Sequence, residues 1–340
     1  MAKKLLLIDG NNLFHRAYHA LPPLTDKSGE NANAVYGFSN MLLKAVSEVE
    51  PDYVACAFDT AAPTFRHIEF EKYKAQRPAP PPDLYPQLPK VKKVLDAFGV
   101  PYFEKAGYEA DDILATIASK AITTLVIASE AKQSGKGIAS SSTIPRNDKV
   151  EVVILSGDRD CLQLVDGAIK VQMPGWNLPA GKAGLATTTL FGAAEVREKY
   201  GVTPEQMVDY KSLVGDVSDN VPGVAGIGPK TASSLLQKYG SVEEIYRHID
   251  DILGSTKDKL LAGKELAMAA AKLVELDRDV HIDLDITKLE YKPDWEKVRR
   301  EFESLGFKSI LNKLPGAKVD EVKGTNNKAP SDDKNQLELI

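Results

Sequence analysis

Cysteine is scarce in this chain of 340 residues: Cys56 and Cys161 are the only two, they match no zinc-ligand spacing, and they cannot build a multi-disulfide framework. This usage predicts a reducing cytoplasm, with each thiol serving as a small buried apolar group. Histidine is also sparse, and His15, His19, His67, His248 and His281 show no ligand-like spacing, so a zinc enzyme is not expected. Long apolar runs are missing. Leu5 to Ile8 is too short for a signal peptide, and no later run approaches the roughly 18 residues of a membrane span. Surplus positive charge is missing too. A net charge of −5 argues against a nucleic-acid partner, which usually meets a basic face.

The distribution of charge says otherwise. Between Arg66 and Lys93, seven cations (Arg66, Lys72, Lys74, Arg77, Lys90, Lys92, Lys93) face three acids (Glu69, Glu71, Asp83), which makes a local basic stripe. Setting aside the nine carboxylates assigned below to metal binding turns the net −5 into +4 for the rest of the chain. With 43% hydrophobic residues the chain can build one large domain or two modest ones.

Three short apolar runs each end in an aspartate: Leu5 to Asp9, Tyr53 to Asp59, and Val152 to Asp158. Runs of this length read as buried strands of a parallel sheet. Between the first two, Val35, Phe38, Leu42, Val46 and Val49 recur at helical spacing, so the pattern is β-α-β. Ligands of open parallel α/β sheets bind at the carboxyl ends of the strands, and Asp9, Asp59 and Asp158 would then face one crevice. Any one of them alone reads equally well as a turn former or helix N-cap.

The second half changes character. Thr203-Pro204-Glu205-Gln206 carries an N-cap, a proline at the first helical position and a capping-box glutamine, and predicts a helix to about Val214. A glycine-rich loop follows from Val221 to Pro229, then a helix from Lys230 to Tyr239 stopped by Gly240. Helical pattern continues from Ser241 to Val280 and from Trp295 to Leu311. Residues 316–340 are polar and lack apolar periodicity, and read as a disordered tail.

Glu109-Ala110-Asp111-Asp112 opens another helical run, Asp158-Arg159-Asp160 sits at a strand end, and Asp216-Val217-Ser218-Asp219 follows a helix. Crowded carboxylates repel one another. A helix N-terminus offsets part of that cost; a bound divalent cation offsets more. Hard cations such as Mg²⁺ take oxygen ligands and need neither His nor Cys, so two ions held by these acids suit phosphodiester hydrolysis. The loop Gly223 to Gly228 would let backbone N–H groups approach a phosphate at a helix N-terminus, with Lys230 adding charge, although an ordinary helix-helix turn has the same composition.

Taken together, Ile8-Asp9-Gly10-Asn11-Asn12, Ala57-Phe58-Asp59, Thr64-Phe65-Arg66, Tyr73 to Pro78, Gly107 to Asp112, Ser156 to Asp160, Gly215 to Asn220 and Gly226-Ile227-Gly228-Pro229-Lys230-Thr231 resemble the 5′-nuclease domains of the flap endonuclease family, as found in bacterial DNA polymerase I. The likeness runs from about residue 3 to residue 314. It implies an α/β fold: a PIN-like parallel-sheet nuclease domain over residues 1–185, then a mainly α region over 186–314 with a helix-three-turn-helix motif at about 203–240. It implies a 5′-3′ exonuclease or flap endonuclease acting in DNA replication and repair on DNA with 5′ ends or flaps, or on RNA-DNA hybrids, as a monomer. The implied cofactor is Mg²⁺, two or more ions, with Mn²⁺ as a substitute.

By position, the resemblance assigns Asp9, Asp59, Glu109 and Asp111 to one metal site and Asp158, Asp160, Asp216 and Asp219 to the remainder, with Asp112 also among the family acids. It assigns Arg16, Arg66, Lys74 and Arg77 to the scissile phosphate, and Tyr73, Gly223, Gly226, Gly228, Lys230 and Thr231 to DNA. Tyr73 would stack on an unpaired base.

Two stretches depart from the family: a Ser-, Ala- and Lys-rich insertion at about 122–149, and a glycine-containing expansion around 179–184. Deleting Ala128 to Asp148 is expected to leave cleavage intact. The chain is either a stand-alone nuclease or the front fragment of a polymerase. The competing readings are a PIN-type ribonuclease, a non-catalytic DNA-structure binder and a phosphatase with Asp9 as nucleophile. The first does not need the Tyr73-Lys74 segment or the glycine loop, the second predicts lost acids, and the third leaves the distant acids without a role.

Overall fold

The computed structural model describes residues 2–133, 150–175 and 188–316. Most of the 122–149 insertion, the 179–184 expansion and nearly all of the 315–340 tail lie outside the described residues. The three predicted strands are β1 (Lys3–Asp9), β2 (Tyr53–Phe58) and β4 (Val150–Leu155), joined in one sheet by β3 (Tyr102–Glu104), β5 (Ile169–Pro174) and β6 (Thr188–Phe191). The order is β3-β2-β1-β4-β5-β6, parallel throughout except for antiparallel β6 at the edge. β1 lies between β2 and β4, so the three aspartate-bearing strand ends are neighbours.

The β1 side chains alternate between two cores, as the two-residue period of a strand requires. Leu6 and Ile8 pack with α1 (Gly10–Ala20), α2 (Asn33–Val49) and α4 (Leu88–Phe98). Leu5 and Leu7 pack with α5 (Ala110–Gln133) and, in the same continuous cluster, with α6 (Ala193–Tyr200), α7 (Met207–Val214), α8 (Pro229–Tyr239), α9 (Val242–Arg247) and α10 (Ser255–Val274). The helical second half is thus built onto one face of the sheet. The chain then returns to the other face, where Val298 and Phe302 of α11 (Trp295–Leu305) and Ile310 of α12 (Lys308–Leu311) join the α4 side.

Local signals account for the boundaries. Thr203 caps a short 3₁₀ turn that leads into α7, and α8 starts on Pro229 with Gly240 at its end. The helical stretch expected from Trp295 to Leu311 breaks into two at Gly306, whose φ of 80° takes the left-handed conformation of a C-cap. The described part of the insertion continues α5 to Gln133, so the helix that starts at the acids runs for 24 residues. No helix among the described residues is long and apolar enough to cross a membrane.

Candidate active site

Asp9 ends β1 and also caps α1, accepting the Asn12 backbone N–H at 2.9 Å. The reading of this residue as a helix N-cap is realised. Its other oxygen accepts the Ser156 hydroxyl at 2.6 Å, which ties the ends of β1 and β4 together. Asn12 accepts the Gly157 N–H at 2.8 Å, and a side chain at Gly157 would run into Asn12 and Arg16, so glycine keeps this corner open. Asp59, just past β2, accepts from the Asn11 amide and from the Ala110 N–H, both at 2.7 Å, and so caps α5. Asp158 accepts the Asp160 N–H at 2.9 Å.

At the start of α5 the acids divide. Asp111 is buried beside the strand-end group. Asp112 is fully buried, and its carboxylate is occupied by the protein itself: Arg66 binds it through two nitrogens at 2.7 and 2.8 Å, and the Glu109 and Asp277 N–H groups add two more bonds. Arg66, in α3 (Phe65–Glu69), is 1% exposed and also donates to the Leu273 and Glu275 carbonyls and, at 3.5 Å, to the Glu109 carboxylate. The phosphate contact expected of Arg66 and the metal ligation expected of Asp112 are not available to them in this arrangement. The buried bidentate pair satisfies both charges.

The second half contributes Asp216 and Asp219 on the loop after α7. The Lys211 ammonium, from α7, reaches both Asp160 and Asp216, the latter at 2.7 Å. The Lys74 Nζ binds Glu109 at 2.6 Å and lies 3.7 Å from Asp219, while Arg77 binds Asp219 at 2.6 Å. Lys74 holds φ at +54°, a left-handed conformation rare for residues other than glycine and fixed here by its N–H bond to the Asp219 carbonyl. The Tyr73 hydroxyl bonds Glu109 at 2.9 Å and lies 3.3 Å from Asp219 with the ring buried, so it faces the acids and not an open stacking surface.

Electrostatics join these groups into one network. Burial pushes the carboxyl of Asp9 up to about 7, with the charges of Asp59 and Asp158 adding to the rise. Burial raises Asp160 to about 7 in spite of Lys211, and raises Asp59 and, further, Asp111, where Asp112 and Glu109 crowd it. Asp216 differs: burial opposes its charge, but Lys211 and Ser218 hold it down to about 2. Among the described residues no three acids close on a common point as ligands do, and Glu109, Asp219 and Asp216 are held by Lys74, Arg77 and Lys211. An all-oxygen set in which Asp9 and Asp111 are buried without a bonded cation fits hard divalent cations, with Asp9, Asp59, Glu109, Asp111, Asp158, Asp160, Asp216 and Asp219 as the residues to hold them.

The acid loop and the glycine loop form one unit. Asp216 and Val221 exchange both backbone hydrogen bonds at 2.9 Å, and a Cβ on Gly223 would fall 2.4 Å from the Gly215 nitrogen, so only glycine fits there. Gly226 takes φ of 79°, Gly228 precedes α8 with no side-chain cap, and Lys230 is exposed beside Thr231 in the first turn. That uncapped N-terminus can receive a phosphate. Arg16 donates to the Pro174 carbonyl at the rim of the strand-end group. Lys211 escaped the sequence reading, while Ser156, Asn11 and Asn12 stand in its motifs but were given no site role. The two asparagines adjoin Asp9, which is signal enough for a role at the site, but a lysine inside a helix gives no such signal.

The family models for the 5′-3′ exonuclease N-terminal resolvase-like domain and the 5′-3′ exonuclease C-terminal SAM fold match residues 4–134 and 202–297, about two thirds of the chain together. The chain belongs to the 5′-3′ exonuclease family. Members hydrolyse DNA phosphodiester bonds, and this 5′-3′ exonuclease is 40% identical over 325 residues to DNA polymerase I of Bacillus caldotenax, covering 95% of the chain and 34% of that relative. With DNA polymerase I of Bacillus subtilis it shares 37% over 314 residues, 92% of the chain and 32% of the relative. The chain therefore spans about a third of the length of the curated relatives it matches.

Among solved structures, the fold matches the bacteriophage T5 flap endonuclease complex with DNA and metal ions at a TM-score of 0.57 and 19% identity, covering 89% of this chain and all of that one. The zinc-bound T5 5′-exonuclease matches at a TM-score of 0.56 and 23% identity, over 81% of this chain and 90% of that one. The PIN-like sheet followed by a helical region expected from the sequence is the architecture found.

Proposed function

We propose that this 5′-3′ exonuclease hydrolyses phosphodiester bonds near free 5′ ends and at 5′ flaps, on DNA and on RNA primers paired to DNA, during replication and repair. It uses Mg²⁺, with Mn²⁺ as a substitute, and works as a monomer in a reducing cytoplasm. The observation that carries the reading is the electrostatic coupling of acids from both halves of the chain, with the Asp216–Val221 bridge tying the acid loop to the loop before an uncapped helix N-terminus.

Divalent ions held by these acids supply Lewis-acid stabilisation of the charge that develops during phosphodiester hydrolysis. The protein's own groups do the rest. Lys74 and Arg77, now paired with Glu109 and Asp219, are placed to turn to the scissile phosphate, Arg77 from a half-exposed position. Arg16 faces the same rim. Arg66 acts at one remove, through Asp112, by fixing the start of α5. The Gly223, Gly226 and Gly228 backbone with Lys230 and Thr231 grips the duplex. The T5 enzyme's complex with DNA and metal ions shares this fold and supports the reading.

The test is a 5′-flap duplex incubated with Mg²⁺ and the protein, beside Asp111→Asn and Asp158→Asn. Cleavage by the wild type, abolished by EDTA and largely lost in both variants, is expected. Equal activity in all three would refute the assignment.

A further inference from the structure

The stretch from Leu273 to Asp277, where α10 ends, is a junction. Its backbone groups are taken one after another by side chains from three separate parts of the site. Arg66 of α3 donates to the Leu273 carbonyl at 2.7 Å and the Glu275 carbonyl at 2.9 Å. Asp112 of α5 accepts the Asp277 N–H at 2.9 Å. Gln163, buried in the 3₁₀ turn Asp160–Leu164, uses both ends of its amide: Nε2 donates to the Val274 carbonyl at 2.9 Å and Oε1 accepts the Leu276 N–H at 3.0 Å. The Gln163 carbonyl in turn accepts from Arg278 at 3.1 Å.

α10 also touches the phosphate-gripping loop: a Cβ on its Gly263 would fall 2.8 Å from Val224, and its Lys259 lies against Gly226. From Gly263 to Val274 the helix rises about 16 Å. It is therefore a strut with the glycine loop at one point along it and the acid-bearing elements at its end. Gln163 ties the turn that carries Asp160 to the end of that strut through both ends of its side-chain amide, reading two successive backbone groups as a neighbouring strand would.

We infer that Gln163 is a positioning residue for the nuclease reaction: it sets where Asp158 and Asp160 stand relative to the grip on DNA, and so governs metal binding and turnover without touching DNA. This rests on the function proposed above. Side chains that orient metal ligands from behind typically contribute 10- to 100-fold in metal affinity or activity. A residue that served folding alone would lower the melting temperature and leave both unchanged.

The experiment compares wild type with Gln163→Met, which keeps length and volume but removes both hydrogen bonds, and with Arg278→Ala, an exposed position that loosens the same turn without disturbing the core. Three quantities are read: Mn²⁺ affinity by titration of the free protein, flap-DNA affinity in EDTA, and kcat and KM for flap cleavage in Mg²⁺. The expected result is Mn²⁺ binding weakened about tenfold in Gln163→Met, kcat lowered by a similar factor, and KM and DNA affinity unchanged, with a smaller shift of the same kind in Arg278→Ala.

Unchanged Mn²⁺ affinity and kcat in both variants would overturn the inference. So would a loss of DNA affinity in step with kcat. If Gln163→Met does not fold, the Arg278→Ala titration decides. A wild type that binds Mn²⁺ but does not cut flaps would sink the proposed function, while the titrations would still judge Gln163.

Discussion

The acids at the strand ends and the acids of the helical half carry the same charge but are kept in opposite ways. Asp9 and Asp111 are buried and Asp59 stands exposed beside them; among the described residues no cation is bonded to any of the three, and their proton affinity is raised. Asp216 and Asp219 are each bonded to a basic side chain, Lys211 for one and Arg77 for the other. The first group stores repulsion that an ion from solution can relieve. The second is already neutralised and must exchange an internal cation for an external one. Asp160 stands between the two, bonded to Lys211 yet still raised to about 7.

The comparison breaks most sharply if the strand-end acids are dispensable. Asp111→Asn should lower cleavage by about 10³-fold, several kcal/mol of the stabilisation a metal site gives the transition state, measured as kcat on a flap duplex. On the other side, Lys211→Met leaves Asp160 and Asp216 without their cation. The metal-free protein should lose about 3 kcal/mol, and thermal melts with and without Mg²⁺ should show the metal restoring much of it. A melting temperature indifferent to Mg²⁺ would show that the two groups are not held differently at all.

A third prediction follows from the sign of the Asp9 shift. Its carboxyl holds a proton to about pH 7 in the folded chain but only to about 4 when unfolded, so the folded state binds more protons across that window. Stability contributed by this residue therefore falls as pH rises from about 4 to 7, by up to roughly 1.4 kcal/mol per pH unit, and stays low above it. Metal-free Asp9→Asn should be more heat-stable than wild type at pH 8, and the advantage should vanish toward pH 4. The smallest effect belongs to the grip. Lys230→Ala should weaken DNA binding alike for all sequences and reduce the slope of log affinity against log salt by about 1.

Much of this was legible in the chain. Apolar runs ending in aspartate located β1, β2 and β4, because a strand buried on both faces leaves an uninterrupted signature. The short edge strand β3, the inner strand β5 and the edge strand β6 mix polar with apolar residues and left none. The glycine loop and α8 were readable from punctuation alone. The role of Arg66 was not: an arginine at the head of a basic stripe reads as a phosphate contact, and its partner Asp112 lies 46 residues away, where only the packed structure brings the two together. Tyr73 likewise reads as a ring for stacking, and only the fold turns its hydroxyl to Glu109.

The paired backbone bonds between Asp216 and Val221, with Gly223 pressed against Gly215, leave no slack between the segment that presents acids and the segment that receives phosphate. The two behave as jaw and gauge of one caliper. On the function proposed, the distance from where the duplex is seized to where a strand is severed is a property of the backbone itself, and lengthening that bridge by a residue would move the cut without abolishing it.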